Sequence, residues 1–156
     1  MVERVDAGRT GVRAGRLVGV LTVAVAVATL YTTRGSFYEG FGTVLAAAGV
    51  ESSLSVRALF WSNVLGAAVA RYSICYVVGS LIGVLYEWLD RPPATVLVAV
   101  AFVVGGGDAL LAYLDTFAEP IALAYLLAWL CYVPAFLYLF DDDAETEVGP
   151  RRLGES

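Results

Sequence analysis

The sequence predicts an all-α integral membrane protein, with four transmembrane helices in an antiparallel bundle and a short interfacial or re-entrant helix between the first two. Three observations carry that prediction. Apolar residues make up 59% of the 156 and charged residues only 16%, against about 45–50% and about 25% in soluble domains. The mean hydropathy is +0.74. The charges crowd into the first 16 residues, the last 16 and a few short gaps, which leaves uncharged stretches near the roughly 20 residues that a bilayer span needs.

Residues 1–16, MVERVDAGRTGVRAGR, form a polar N-terminal segment with four arginines. The run LVGVLTVAVAVATLYTT over 17–33 is the first predicted span, bounded by Arg16 and Arg34. A secretory signal peptide competes for this region, because a basic stretch precedes an apolar core. Against it, the basic stretch is long and contains Glu3 and Asp6, and the apolar run continues past the small residues near Ala28.

Residues 35–56 are intermediate in polarity. Phe37, Phe41, Leu45 and Ala48 recur at helical spacing, which fits a helix lying in the interface or a shallow re-entrant hairpin. The second span covers 62–88, with Trp61 and Trp88 at its ends. At 1.5 Å per residue the two tryptophans stand ~40 Å apart, which matches a bilayer with its interfaces, where Trp concentrates. The turn DRPP leads into a third span over 94–114, and DTFAE leads past Pro120 into a fourth over 121–140, which Pro134 should kink. The three together with the first make a membrane domain over 17–140. Residues 141–156 read as an acidic, disordered tail with too little apolar surface to fold.

All ten basic residues are arginine, against 15 acidic ones. An acidic balance without lysine, in a chain rich in Val, Ala and Gly, is a composition expected of halophilic archaea. An even number of spans puts both termini on one side. Placing that side in the cytoplasm collects Arg4, Arg9, Arg13, Arg16, Arg91, Arg151 and Arg152 there and leaves Arg34 and Arg57 outside, as the positive-inside rule favours. The expected location is therefore the cell membrane, with the lipid bilayer as first partner.

Several chemistries lack their parts. No histidine occurs, and Cys75 and Cys131 belong to no CxxC pair, so neither a conventional Cys/His zinc site nor a His-ligated haem is expected. The absence of both His and Lys removes Ser-His and Ser-Lys hydrolytic machinery. A basic nucleic-acid footprint is missing as well. No catalytic residue, metal or cofactor is assigned, and the chain is not expected to be an enzyme.

The stretch VVGGGDALLAYLD, 103–115, invites a phosphate-loop reading, but Leu110 stands where a dinucleotide fingerprint needs its third glycine. Within a membrane helix, Gly105, Gly106 and Gly107 instead permit close helix approach. Gly79 and Gly83 form a GxxxG, and Gly66 with Ala70 adds a small-xxx-small pair. These seven residues are the predicted helix-packing set.

Arg71 and Asp108 are charges placed deep in the spans. The second and third spans run in opposite directions, and counting residues puts Arg71 ~5 Å and Asp108 ~6 Å from mid-bilayer on the same side. An intramembrane ion pair is expected between them, closed by the glycines beside Asp108. It either fixes helix register or lines a polar path. Tyr72, Ser73, Tyr76 and Tyr113 are its candidate polar neighbours. The alternative is that Arg71 snorkels toward the interface, with Glu39 as its partner. Tyr125, Trp129, Tyr132 and Phe136 form an aromatic stripe for packing or lipid contact, and the two cysteines read as small buried hydrophobes.

The string GAAVARY, 66–72, is similar to part of the first span of small four-helix fluoride channels. Here it stands in the second span, and the Thr- and Phe-rich signatures that follow it in that family are missing, so no residue role is carried over. The function expected from these readings is structural or accessory, through assembly into a homo-oligomer or a larger membrane complex. A small oligomeric transporter or channel subunit, with Arg71–Asp108 on its path, is the alternative.

Overall fold

A computed structural model describes residues 6–49 and 53–147, with backbone alone for 53–55 and 142–147. The elements are all helices: α1 (Ala7–Thr32), α2 (Arg34–Ala47), α3 (Ser53–Trp88), α4 (Ala94–Thr116), α5 (Glu119–Leu130) and α6 (Tyr132–Glu147). Four stretches are long and apolar enough to cross a membrane: Ala7–Thr32, Val56–Trp88, Ala94–Thr116 and Glu119–Asp141. By length and composition the chain is a multi-pass membrane protein. Many of its large apolar side chains point outward, with Leu65 66%, Val103 72% and Leu111 66% exposed. Alanine, glycine and threonine fill much of the interior instead, as in helices that pack by close approach in lipid.

α1 is the central helix. It packs against α3 on one side and against α5 and α6 on the other, while α4 packs chiefly on α5. The α1–α3 contact is made backbone to backbone. A Cβ on Gly11 would lie 2.5 Å from the Gly79 carbonyl oxygen, and one on Gly15 would lie 2.6 Å from that of Cys75. Gly83 meets Gly11 and Ala7, Gly79 meets Gly15, and Gly19 faces Cys75 and Tyr72. Each step of four along α1 thus matches a step of four backward along α3. Across the seam Thr22 shares a 3.3 Å hydrogen bond with the Cys75 thiol, and from α6 the Tyr132 hydroxyl donates to the Gly79 carbonyl of α3 at 2.9 Å.

The element bounds differ from the sequence reading at both ends of the domain. α1 starts at Ala7 rather than near residue 17. The Asp6 carboxylate caps it, accepting from the Gly8 and Arg9 amides at 2.9 and 3.3 Å, and Gly11 and Gly15 are its deepest contacts with α3. At the far end α6 runs through Glu147, so residues 141–147 of the expected tail are helical. A helix already nucleated in the span extends at little further cost. The remainder of that tail and the extreme N-terminus lie outside the described residues.

α3 begins at Ser53 rather than 62 and outreaches α1, and α2 packs against the surplus length. Phe37 and Tyr38 set their rings edge-on to Phe60 at 5.5 and 5.3 Å. The fourth span is two helices divided at Cys131, three residues before Pro134. Proline has no N–H for the Leu130 carbonyl four residues earlier, and its ring crowds that turn. The turn after α3 holds Asp90 and Arg91 in left-handed conformations, both at φ 59°, and the Arg91 amide closes the helix end on the Tyr86 carbonyl at 3.0 Å.

Candidate functional site

α3 carries Arg71 on the face that turns past α1 toward α4 and α5, and α4 carries Asp108 one residue after its three glycines. The structure joins the two side chains in an ion pair between Arg71 Nη1 and Asp108 Oδ1. Two aromatic residues of α5 complete the arrangement. Trp129 Nε1 donates to the other carboxylate oxygen, Oδ2, at 3.1 Å. The Tyr125 ring lies under the guanidinium, 4.4 Å from ring centroid to Cζ, a cation–π distance. Both aromatics are buried, Tyr125 at 4% and Trp129 at 2% exposure.

The backbones of α3 and α4 hardly touch, and the long arginine stem spans the gap between them. This corrects the expectation that the glycines beside Asp108 draw those two helices together. Gly105 lies against Trp129 of α5, where an added Cβ would come 2.6 Å from the Trp Cβ. Gly106 and Gly107 have nothing within 4 Å of an added Cβ, and neither has Gly66, while Ala70 is exposed. Of the seven predicted packing residues, Gly79, Gly83 and Gly105 make tight interhelical contacts within the chain. Gly66, Gly106 and Gly107 do not, because their faces point outward.

The candidate polar neighbours fall elsewhere. Tyr76 stacks beneath Arg16, 5.6 Å from guanidinium to ring, Tyr113 packs edge-on against Phe117, and Ser73 is exposed. Tyr72 faces Gly19 of α1. Adjacent positions on a helix point about 100° apart, so closeness in number to Arg71 does not put a residue on its face. Cys75 is buried, whereas Cys131 is exposed. The aromatic stripe on the fourth span faces inward throughout, with Tyr132 and Phe136 at 0% exposure, so its lipid-facing alternative is excluded.

Comparison with family models, with curated proteins and with solved structures gives no match. What the site can do is therefore read from its geometry. Beside the ion pair lies a cavity of about 260 Å³ walled by α1, α3, α4 and α5. Ala26, Ala67, Ala70 and Ala112 make the room, Arg71 and Tyr125 form its inner end, and Thr29, Asp115 and Thr116 stand toward the end where α1 and α4 finish. Asp108 is not among its lining residues. The carboxylate is thus held on both oxygens behind the guanidinium, which faces the space.

The sequence reading missed Tyr125 and Trp129 as partners of the pair. A signal for Trp129 was present: a tryptophan well inside a span cannot use the interface, so its N–H needs an internal acceptor.

Proposed function

We propose that this chain is a structural or accessory protein of the cell membrane that assembles with itself or with a larger membrane complex. One observation carries this reading. Among the described residues, the deep ion pair has its carboxylate satisfied within the chain, with the two Asp108 oxygens taken by Arg71 and Trp129 and one face of the guanidinium resting on Tyr125. A carboxylate satisfied by side chains from two other helices holds all three in register, as a buried charge must be held when the alternative is to stand unpaired in hydrocarbon. The outward faces at Gly66 and at Gly106–Gly107 would then be available for a neighbour's helix.

The same reading takes the four spans as an antiparallel bundle with both termini in the cytoplasm, supported by the stepwise glycine matching of α1 and α3 and by the arginine balance. α2 is taken as interfacial rather than re-entrant: it has no buried residue and is only 14 residues long.

The test compares Arg71→Met, Asp108→Asn and the two combined. A structural lock predicts that each single change lowers the yield of folded protein and of its native-extracted assembly, measured by mass spectrometry, and that the double change restores both. A second reading, a transporter or channel subunit, is favoured by the cavity at Arg71. It predicts instead that all three variants fold and assemble while solute flux through proteoliposomes changes.

A further inference from the structure

We propose that the cavity between α1, α3, α4 and α5 binds a small zwitterion, with its carboxylate at Arg71 and Tyr125 and its amino group at Asp115. The two ends of the cavity differ in kind. The inner end offers donors. Arg71 has five N–H groups, of which Asp108 engages one nitrogen. The Tyr125 hydroxyl, on a residue only 4% exposed, makes no hydrogen bond among the described residues and borders the cavity. That hydroxyl is reachable from the cavity, since no buried side-chain oxygen lacks a partner among the described residues, and it can donate to an acceptor held by the neighbouring guanidinium.

The other end offers acceptors. Thr29 and Thr116 spend their hydroxyl protons on their own helices, bonding the Val25 and Ala112 carbonyls at 2.9 and 2.7 Å; the Thr116 oxygen also accepts from the Ala118 amide at 3.3 Å, while Thr29 keeps its lone pairs for the cavity. Asp115 adds a carboxylate with no ion-pair partner among the described residues. It stands in the last turn of α4, where the helix dipole disfavours an anion, and a bound ammonium relieves that conflict.

Charge complementarity selects the ligand class. A simple anion meets Asp115, and a simple cation meets the guanidinium. A molecule bearing both charges answers both ends. Asp115 lies two turns of α4, ~10 Å of rise, beyond Asp108, and Arg71 and Tyr125 border the cavity from α3 and α5, so with hydrogen bonds of about 3 Å at each end the ligand's own charges stand no more than a few bonds apart. The volume of about 260 Å³ lies just under the usual range of roughly 300–1,000 Å³ for ligand sites, which again favours a small solute. The inference holds for an assembling protein and for a transporting one alike.

The experiment uses the purified full chain in lipid nanodiscs, with β-alanine and γ-aminobutyrate as probes and acetate and methylammonium as single-charge controls. Calorimetric titration and the thermal unfolding midpoint are the readouts. The expected result is binding of the zwitterions with a raised midpoint, and at least tenfold weaker binding of either control. Tyr125→Phe keeps the ring under Arg71, and Asp115→Asn alters an exposed side chain, so both variants keep the helical spectrum of the parent. Each is expected to weaken zwitterion binding about tenfold. The proposal is overturned if no zwitterion binds, if acetate binds as well as β-alanine, or if binding is unchanged in both variants. Because this is equilibrium binding, any of those results leaves the assembly measurement above standing.

Discussion

Trp129 gives Asp108 the second donor that a two-oxygen acceptor needs, and it does so through an indole N–H placed by a single helix face. Trp129→Phe removes that donor and three ring atoms from a buried site. The expected loss is about 2 kcal/mol, the hydrogen bond together with the small cavity left behind, read as a shift in reversible unfolding. Tyr125→Leu removes the ring under the guanidinium and should cost about 0.5–2 kcal/mol by the same measurement, whereas Tyr113→Leu, at a ring remote from the pair, should cost less. The pairing of Arg71 with Asp108 was legible because two isolated charges at equal depth stand out in apolar runs. Their aromatic partners were not. A stripe at helical spacing says which residues share a face, but not whether that face turns inward.

At the scale of elements, the α1–α3 seam depends on having no side chain where the two backbones meet. Gly79→Leu should abolish the folded state, or leave it only in a small fraction of molecules, because its added atoms meet the Gly15 backbone, whose Cα lies 2.6 Å from the first of them. Gly107→Ala, with open space at the same position, should leave unfolding unchanged or raise its midpoint through better helix propensity. Detergent-solubilised yield and thermal midpoint check both. The GxxxG of α3 could be read directly from the sequence. Its counterpart, Gly11, Gly15 and Gly19, was hidden because Arg9, Arg13 and Arg16 made that stretch look like solvent-exposed chain. On a helix those charges occupy other faces than the glycines do, and a linear count of polarity does not separate them. The same limitation moved the start of α3 and the end of α6.

At the scale of the whole molecule, four spans follow from counting apolar residues, but their arrangement does not, since apolar spans resemble one another and the side chains that distinguish neighbours are small. That α1 is the hub, and that α3 and α4 are tied by the Arg71–Asp108 pair rather than by close backbones, emerges only in three dimensions. Two labelling experiments test the assembled picture. A membrane-permeant maleimide should modify the exposed Cys131 quickly and the buried Cys75 only on unfolding. In a cysteine-free background within intact cells, an impermeant maleimide should label Ser36→Cys and spare Glu87→Cys, since both positions are exposed and the proposed topology puts them on opposite sides.

The span between Arg71 and Asp108 also bears on biosynthesis. Translation delivers α3 to the bilayer before α4, so the arginine arrives first and alone. Its stem is long enough to lift the charge toward the headgroups while it waits. Asp108, whose short side chain has no such escape, is inserted only when a cation is already in place, and Trp129 follows to seal the remaining oxygen. With the two charges exchanged between helices, the nascent chain would have to hold the short carboxylate in hydrocarbon for the whole interval between spans. The order in which the charges occur along the chain thus spares the membrane the costlier of its two unpaired intermediates.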